Sequence, residues 1–157
     1  MKLRAYALVN QYISGIHAGI QTAHALMEMS ARYDPRDSFI GDDAEMFYDW
    51  RNNHKTLIVL NGGYQQRIYE TMELWDKCDF PHAHFCEEAD ALNGALTAAV
   101  IILPEYIYDR ANHIASEDGA TLYHMPDGLE KAGDVKELNY LERQLADMMG
   151  KFRLKGE

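Results

Sequence analysis

Two apolar runs most constrain the fold: Leu57-Ile58-Val59-Leu60, and Leu96 to Leu103 closed by Pro104. A strand with one wet face alternates apolar and polar residues, whereas these runs are nearly continuous. Such strands belong in the middle of a sheet covered on both faces. Helices must therefore supply two outer layers, and the rest of the chain offers them. Arg4 to Gln11 reads as a first strand. A helix runs from Ser14, a candidate N-cap, to about Tyr33, where Asp34-Pro35-Arg36-Asp37-Ser38 breaks it. A short helix over residues 44–50 precedes the first apolar run, which Asn61-Gly62-Gly63 ends. A further helix follows from Tyr64 to Trp75.

Pro81 to Glu87 alternates like a strand, and the loop 88–94 joins it to the second apolar run. Another helix is expected near Glu105. Residues 118–135 are rich in turn residues (Asp118-Gly119, Pro126-Asp127-Gly128, Gly133-Asp134), and an amphipathic helix is expected over residues 135–152. The order β-α-α-β-α-β-β-α predicts a three-layer α/β/α domain on a small mixed four-stranded sheet. At least one antiparallel pair should fall within residues 81–103, with an extra C-terminal helix beyond. We assign residues 1–117 to the α/β domain and 118–157 to a C-terminal extension, loop plus helix, packed on it. Leu138, Leu141, Leu145, Met148 and Phe152 recur at heptad-like spacing, which suits docking on the domain or pairing in a homodimer.

At 157 residues the chain can build one core without disulfides or a structural metal. No apolar run approaches the roughly 20 residues that span a bilayer, and Met1-Lys2-Leu3-Arg4 opens no secretory apolar region. Two cysteines, Cys78 and Cys86, suit a reducing compartment, so the expected location is the cytoplasm. The net charge is −10, from 25 acidic and 15 basic residues. This argues against a broad nucleic-acid footprint, which draws its affinity from Lys and Arg on phosphates. Arg51 and Lys55, or Lys151, Arg153 and Lys155, could form a local basic patch, but scattered surface charge is the reading expected for them.

Chemistry concentrates on the first helix. His17, Gln21 and His24 stand at i, i+4 and i+7 and share one face. Ile16, Ile20, Ala23 and Met27 form the neighbouring stripe, expected to be buried. His17, as an imidazole, can serve as cation or proton shuttle. The amide of Gln21 can orient a water or a carbonyl, and His24, between two alanines, reads as a partly buried structural histidine. Glu87 and Glu88 end a strand and enter a loop, a common place for working carboxylates in α/β folds. Asn10 and Gln11 end the first strand beside the helix start and can line the same crevice. His82, His84 and Cys86 alternate on one strand face with ligand types suited to zinc or copper. Alternate strand residues stand about 6.6 Å apart, wide for three ligands on one ion, so ordinary packing is expected there and no metal. No phosphate-binding glycine loop and no G-x-S-x-G elbow is present, and no cofactor is expected.

The chain resembles the type 2 peptidyl-tRNA hydrolase family over roughly residues 5–115. That family opens its first helix with a lysine, a glutamine four positions on, and a His-Ala pair. Here Gln21, His24 and Ala25 fit that frame, with His17 at the lysine's place. Trp50, Lys55 and the apolar strand after them resemble the family's second block, and Phe85 to Pro104 its later strand pair. The family's strand aspartate is matched by Glu87, or by Glu88 with a one-residue shift. The threonine that follows it has Ala91 or Leu92 opposite, and Thr97 lies further on. The resemblance implies a small mixed sheet flanked by helices and an esterase that cleaves the bond between peptide and tRNA. In it, Gln21 and Glu87 would position the water near His17, while Asn10, His24, Glu88 and Thr97 line the binding site. The alternative is a binding or regulatory module that keeps the fold without the reaction. For that module the His17 exchange and the acidic charge are natural, and its partner would be a protein or small molecule instead of tRNA.

Overall fold

The computed structural model describes residues 1–36, 41–124 and 135–156. Its centre is a four-stranded sheet in the order β2-β1-β4-β3, built from β1 (Leu3–Asn10), β2 (Leu57–Gly63), β3 (His82–Cys86) and β4 (Leu96–Pro104). β1 and β2 are parallel, with Ala5 opposite Leu57 and Asn10 opposite Gly63. β4 runs antiparallel to both β1 and β3. The sheet is mixed, and its antiparallel pair β3–β4 falls within residues 81–103. Every residue of β4 is buried, as its apolar run requires.

α1 (Ile16–Arg32) and α2 (Asp42–Asp49) cover one face of the sheet, and α2 continues into a π-helical turn, Trp50–His54. Their core joins Val9, Ala25, Met29, Phe47 and Trp50 to Ala98, Val100 and Ile102. The other face carries α3 (Gln65–Trp75), the short α5 (Glu105–Tyr108) and α6 (Tyr140–Met149), packing Ile68, Trp75, Leu145 and Phe152 against Leu8, Ile101 and Leu103. The architecture is three-layer α/β/α. No described helix is long and apolar enough to cross a membrane.

Three expectations change. The buried stripe of α1 is Ala18, Gln21, Thr22, Ala25 and Met29. Ile16 and Met27, expected inside, are 77% and 69% exposed, and Ile20 is exposed as well. Ala18, Thr22 and Ala25 let the helix axis approach the sheet closely, and Ile16, Ile20 and Met27 are left facing outward. Gly15 at φ +58° occupies the cap position of α1, and Ser14 makes no cap bond.

The C-terminal extension is not a loop plus one long helix. β5 (His113–Ala115), β6 (Thr121–His124) and β7 (Val135–Leu138) form a second, antiparallel sheet, and α6 starts only at Tyr140. Asn139 and Glu142 close a capping box there: Glu142 N–H donates to Asn139 Oδ1 at 2.8 Å, and Asn139 N–H to Glu142 Oε1 at 3.0 Å. The heptad-like row docks on the chain's own core, with Leu138, Leu145 and Phe152 buried and Leu141 and Met148 half-buried. The turns at Pro126-Asp127-Gly128 and Gly133-Asp134, and the end of the break at Asp37-Ser38, lie outside the described residues. α4 (Ala89–Leu92) is a single turn between β3 and β4.

Candidate functional site

The sheet order brings the carboxyl ends of β1, β2 and β3 and the amino end of β4 to one edge. Asn10 pairs with Gly63, Val9 with Ala98, and Cys86 with Leu96. Glu87 and Thr97 therefore arrive at this edge from β3 and β4, while α1 starts above it and delivers Gln21. Gln21 Nε2 donates to Glu87 Oε1 at 2.9 Å, and the Thr97 hydroxyl donates to Gln21 Oε1 at 2.7 Å. The Glu87 carboxylate can only accept, so the nitrogen of the amide faces it; the amide oxygen then faces Thr97, whose hydroxyl must donate. The chain Thr97–Gln21–Glu87 has one polarity and leads from the core to the rim. Thr97 is 1% exposed and Gln21 is buried, whereas Glu87 is half-buried.

The remaining candidates lie around that chain. Asn10 is buried and structural: its Nδ2 donates to Leu96 O at 3.0 Å, and its Oδ1 accepts from Tyr12 N–H at 3.1 Å. These bonds tie the β1 turn to the residue before Thr97. His17 stands one helical turn before Gln21, exposed, with no hydrogen bond or ring contact among the described residues. His24 is exposed, not partly buried as expected, and its ring stacks on Phe85 at 4.4 Å and 12°. Glu88 is exposed at the start of α4 without capping it. The side chains of Ala91 and Leu92, opposite the family's threonine, lie outside the described residues. Thr97, further along the chain, is the threonine that reaches Gln21.

On the opposite face of the edge, Leu96 N–H donates to Gln65 Oε1 of α3 at 3.2 Å. Glutamines from helices on both faces thus hold the start of β4. Beside it, the Tyr69 hydroxyl lies 3.9 Å from Cys86 Sγ, and burial pushes this phenol up from its ordinary range. Of the three alternating residues of β3, His82 is buried, contacting Phe80 O and Asp76 Oδ1, each at 2.8 Å, Cys86 is half-buried, and His84 is exposed. Trp50 is structural, its Nε1 donating to Thr56 O at 2.8 Å.

Sequence reasoning passed over Tyr12, Tyr64 and Gln65. A signal was available, since Tyr64 directly follows β2 and Tyr12 stands two residues past the end of β1. No protein-family model matches the chain, and no curated protein matches it significantly in sequence.

Proposed function

We propose that this protein is an esterase of the type 2 peptidyl-tRNA hydrolase kind, with Glu87 as general base. The observation that supports this reading is the Thr97–Gln21–Glu87 hydrogen-bonded chain. It joins Gln21 and Glu87, to which the family resemblance gives the water-positioning role, to Thr97, which lines the expected binding site. Gln21 holds one oxygen of the carboxylate and leaves Oε2 to take a proton from water. The water oxygen attacks the ester carbonyl carbon while its proton passes to Glu87. Collapse of the tetrahedral intermediate breaks the ester C–O bond, and the departing ribose hydroxyl takes its proton from His17 or from Glu87. Thr97 fixes the amide, and so acts as a positioning residue. The compartment proposed is the cytoplasm, in keeping with the free thiols of Cys78 and Cys86.

A second reading rests on the net charge of −10 and on His17 at the lysine's place: a binding module that retains the fold. Hydrolysis of a model peptidyl-tRNA separates the two. The esterase predicts turnover that the Gln21→Ala/Glu87→Ala double variant loses by at least about 100-fold, the range of a lost general base. A folded wild-type protein without turnover favours the module.

A further inference from the structure

The edge that carries Glu87 also carries two exposed aromatic residues. Tyr12 follows β1 and is 80% exposed; Tyr64 follows β2 and is 53% exposed. Their ring centroids lie 5.2 Å apart at 43°. Neither ring is buried in the core, and neither hydroxyl has a partner among the described residues. Asn10 connects this pair to the candidate site, since it accepts from Tyr12 N–H and donates to Leu96, the neighbour of Thr97.

The charge around the edge is sorted. On the β3 side stand Glu87, Glu88 and Asp90, all acidic. On the β2 side the C-terminal segment pairs with the outer strand. Leu154 bridges Leu60, and Asn61 N–H donates to Arg153 O at 2.9 Å. This places the exposed Arg153 beside the end of β2. Lys155 Nζ lies 3.2 Å from Gln11 O and 3.5 Å from Asn10 O, directly before Tyr12. An ammonium has three protons, so one remains for a further acceptor. In a chain of net charge −10, the two exposed rings lie beside cations, and the carboxylates sit at the other end.

We infer that Tyr12 and Tyr64 form a stacking platform for the terminal base of a single-stranded RNA end, with Arg153 and Lys155 on its phosphate. Exposed rings accept any base on its π face, and neighbouring cations track the backbone. The inference rests on the esterase reading for its orientation: a base on the β2 side directs its ribose ester along the edge toward Glu87. The small number of cations restricts the contact to the strand's end, which fits a protein too acidic for a broad footprint.

Fluorescence anisotropy of a fluorescein-labelled single-stranded RNA hexamer tests this, using the full chain. Wild type should bind, with Kd rising as salt increases. Tyr12→Ala and Tyr64→Ala should each weaken binding by about tenfold or more. Tyr12→Phe, which keeps the ring, should restore it, and Lys155→Ala should flatten the salt dependence. Circular dichroism of each variant confirms folding. Absence of hexamer binding by wild type, or unchanged affinity in both alanine variants, overturns the platform. The esterase reading fails separately: the Gln21→Ala/Glu87→Ala variant should lose hydrolysis yet bind the hexamer. A wild type that binds through the tyrosines without hydrolysing ester keeps the platform and removes the esterase.

Discussion

Thr97 is where residue-level energetics and function meet most closely. Its hydroxyl is buried and donates to a buried amide oxygen, so Thr97→Val keeps the shape and strands Gln21 Oε1 without a donor. Leaving a buried acceptor unsatisfied costs about 1–3 kcal/mol. We expect that loss in urea denaturation, together with a lower kcat for ester hydrolysis because the amide no longer holds the carboxylate. Thr97→Ser should recover both. Unchanged kcat in the valine variant would mean that the hydrogen-bonded chain is scaffolding alone. A second residue-level effect concerns the phenols. Burial, its largest cause, pushes Tyr108 up to about 12 from 10.0, and Tyr6 and Tyr33 are raised for the same first reason. A folded-state value above the unfolded one stabilises the fold fully below pH 10. That contribution is lost as pH rises from about 10 through 12. Melting temperature should fall across this window, and Tyr108→Phe should reduce the slope. A slope unchanged by that variant would remove Tyr108 from the alkaline transition.

At the scale of elements, α1 offers the sharpest test, because Ile16, Ile20 and Met27 face solvent while Ala18, Thr22 and Ala25, with Met29, face the sheet. Ile16→Ser and Met27→Gln should change stability by no more than about 0.5 kcal/mol. Ala25→Leu should overpack the helix–sheet contact and cost about 1–3 kcal/mol. The reverse ranking in urea melts would restore the stripe read from hydrophobicity. The misreading has a physical cause: periodicity finds apolar rows, but closeness of approach is set by size, and Ala18, Thr22 and Ala25 carry little hydrophobic signal. The long strands were legible because β4 is apolar throughout except at Thr97, and β2 nearly so up to Asn61. Gln21 and Glu87 were legible as residues, but their bond depends on β3 and β4 returning to the start of α1, which no local pattern encodes. The late start of α6 was legible and missed. Asn139-Tyr140-Leu141-Glu142 is a capping-box sequence, yet Leu138 fits the heptad row and drew the helix backward. Asn139→Ala should therefore cost about 1 kcal/mol in thermal or urea melts. A neutral substitution would show that α6 is held by packing alone.

For the whole molecule, the C-terminal segment has a role beyond its charges, because β2 lies at the edge of the four-stranded sheet. An edge strand presents unpaired N–H and C=O groups that recruit other chains. Here the segment occupies that edge: Asn61 N–H donates to Arg153 O and Lys155 N–H to Val59 O, each at 2.9 Å. Phe152, immediately before, is anchored in the core with Arg67 lying 4.2 Å over its ring. Deletion from Arg153 onward thus leaves the anchor and removes the edge pairing together with the Lys155 Nζ contacts to Gln11 O and Asn10 O. Two backbone hydrogen bonds at their usual net worth amount to about 1–3 kcal/mol. The truncated chain should lose that much in urea denaturation, exchange the Asn61 amide proton faster, and associate with rising concentration on size-exclusion chromatography. It should also bind the RNA hexamer less tightly, since Arg153 and Lys155 go with the segment. A Lys155→Ala variant separates the two roles, because it should weaken RNA binding while the backbone N–H at position 155 still pairs with Val59 O. If the truncated chain stayed monomeric with Asn61 fully protected, β2 would not depend on the segment for its edge. The basic side chains would then be its remaining contribution.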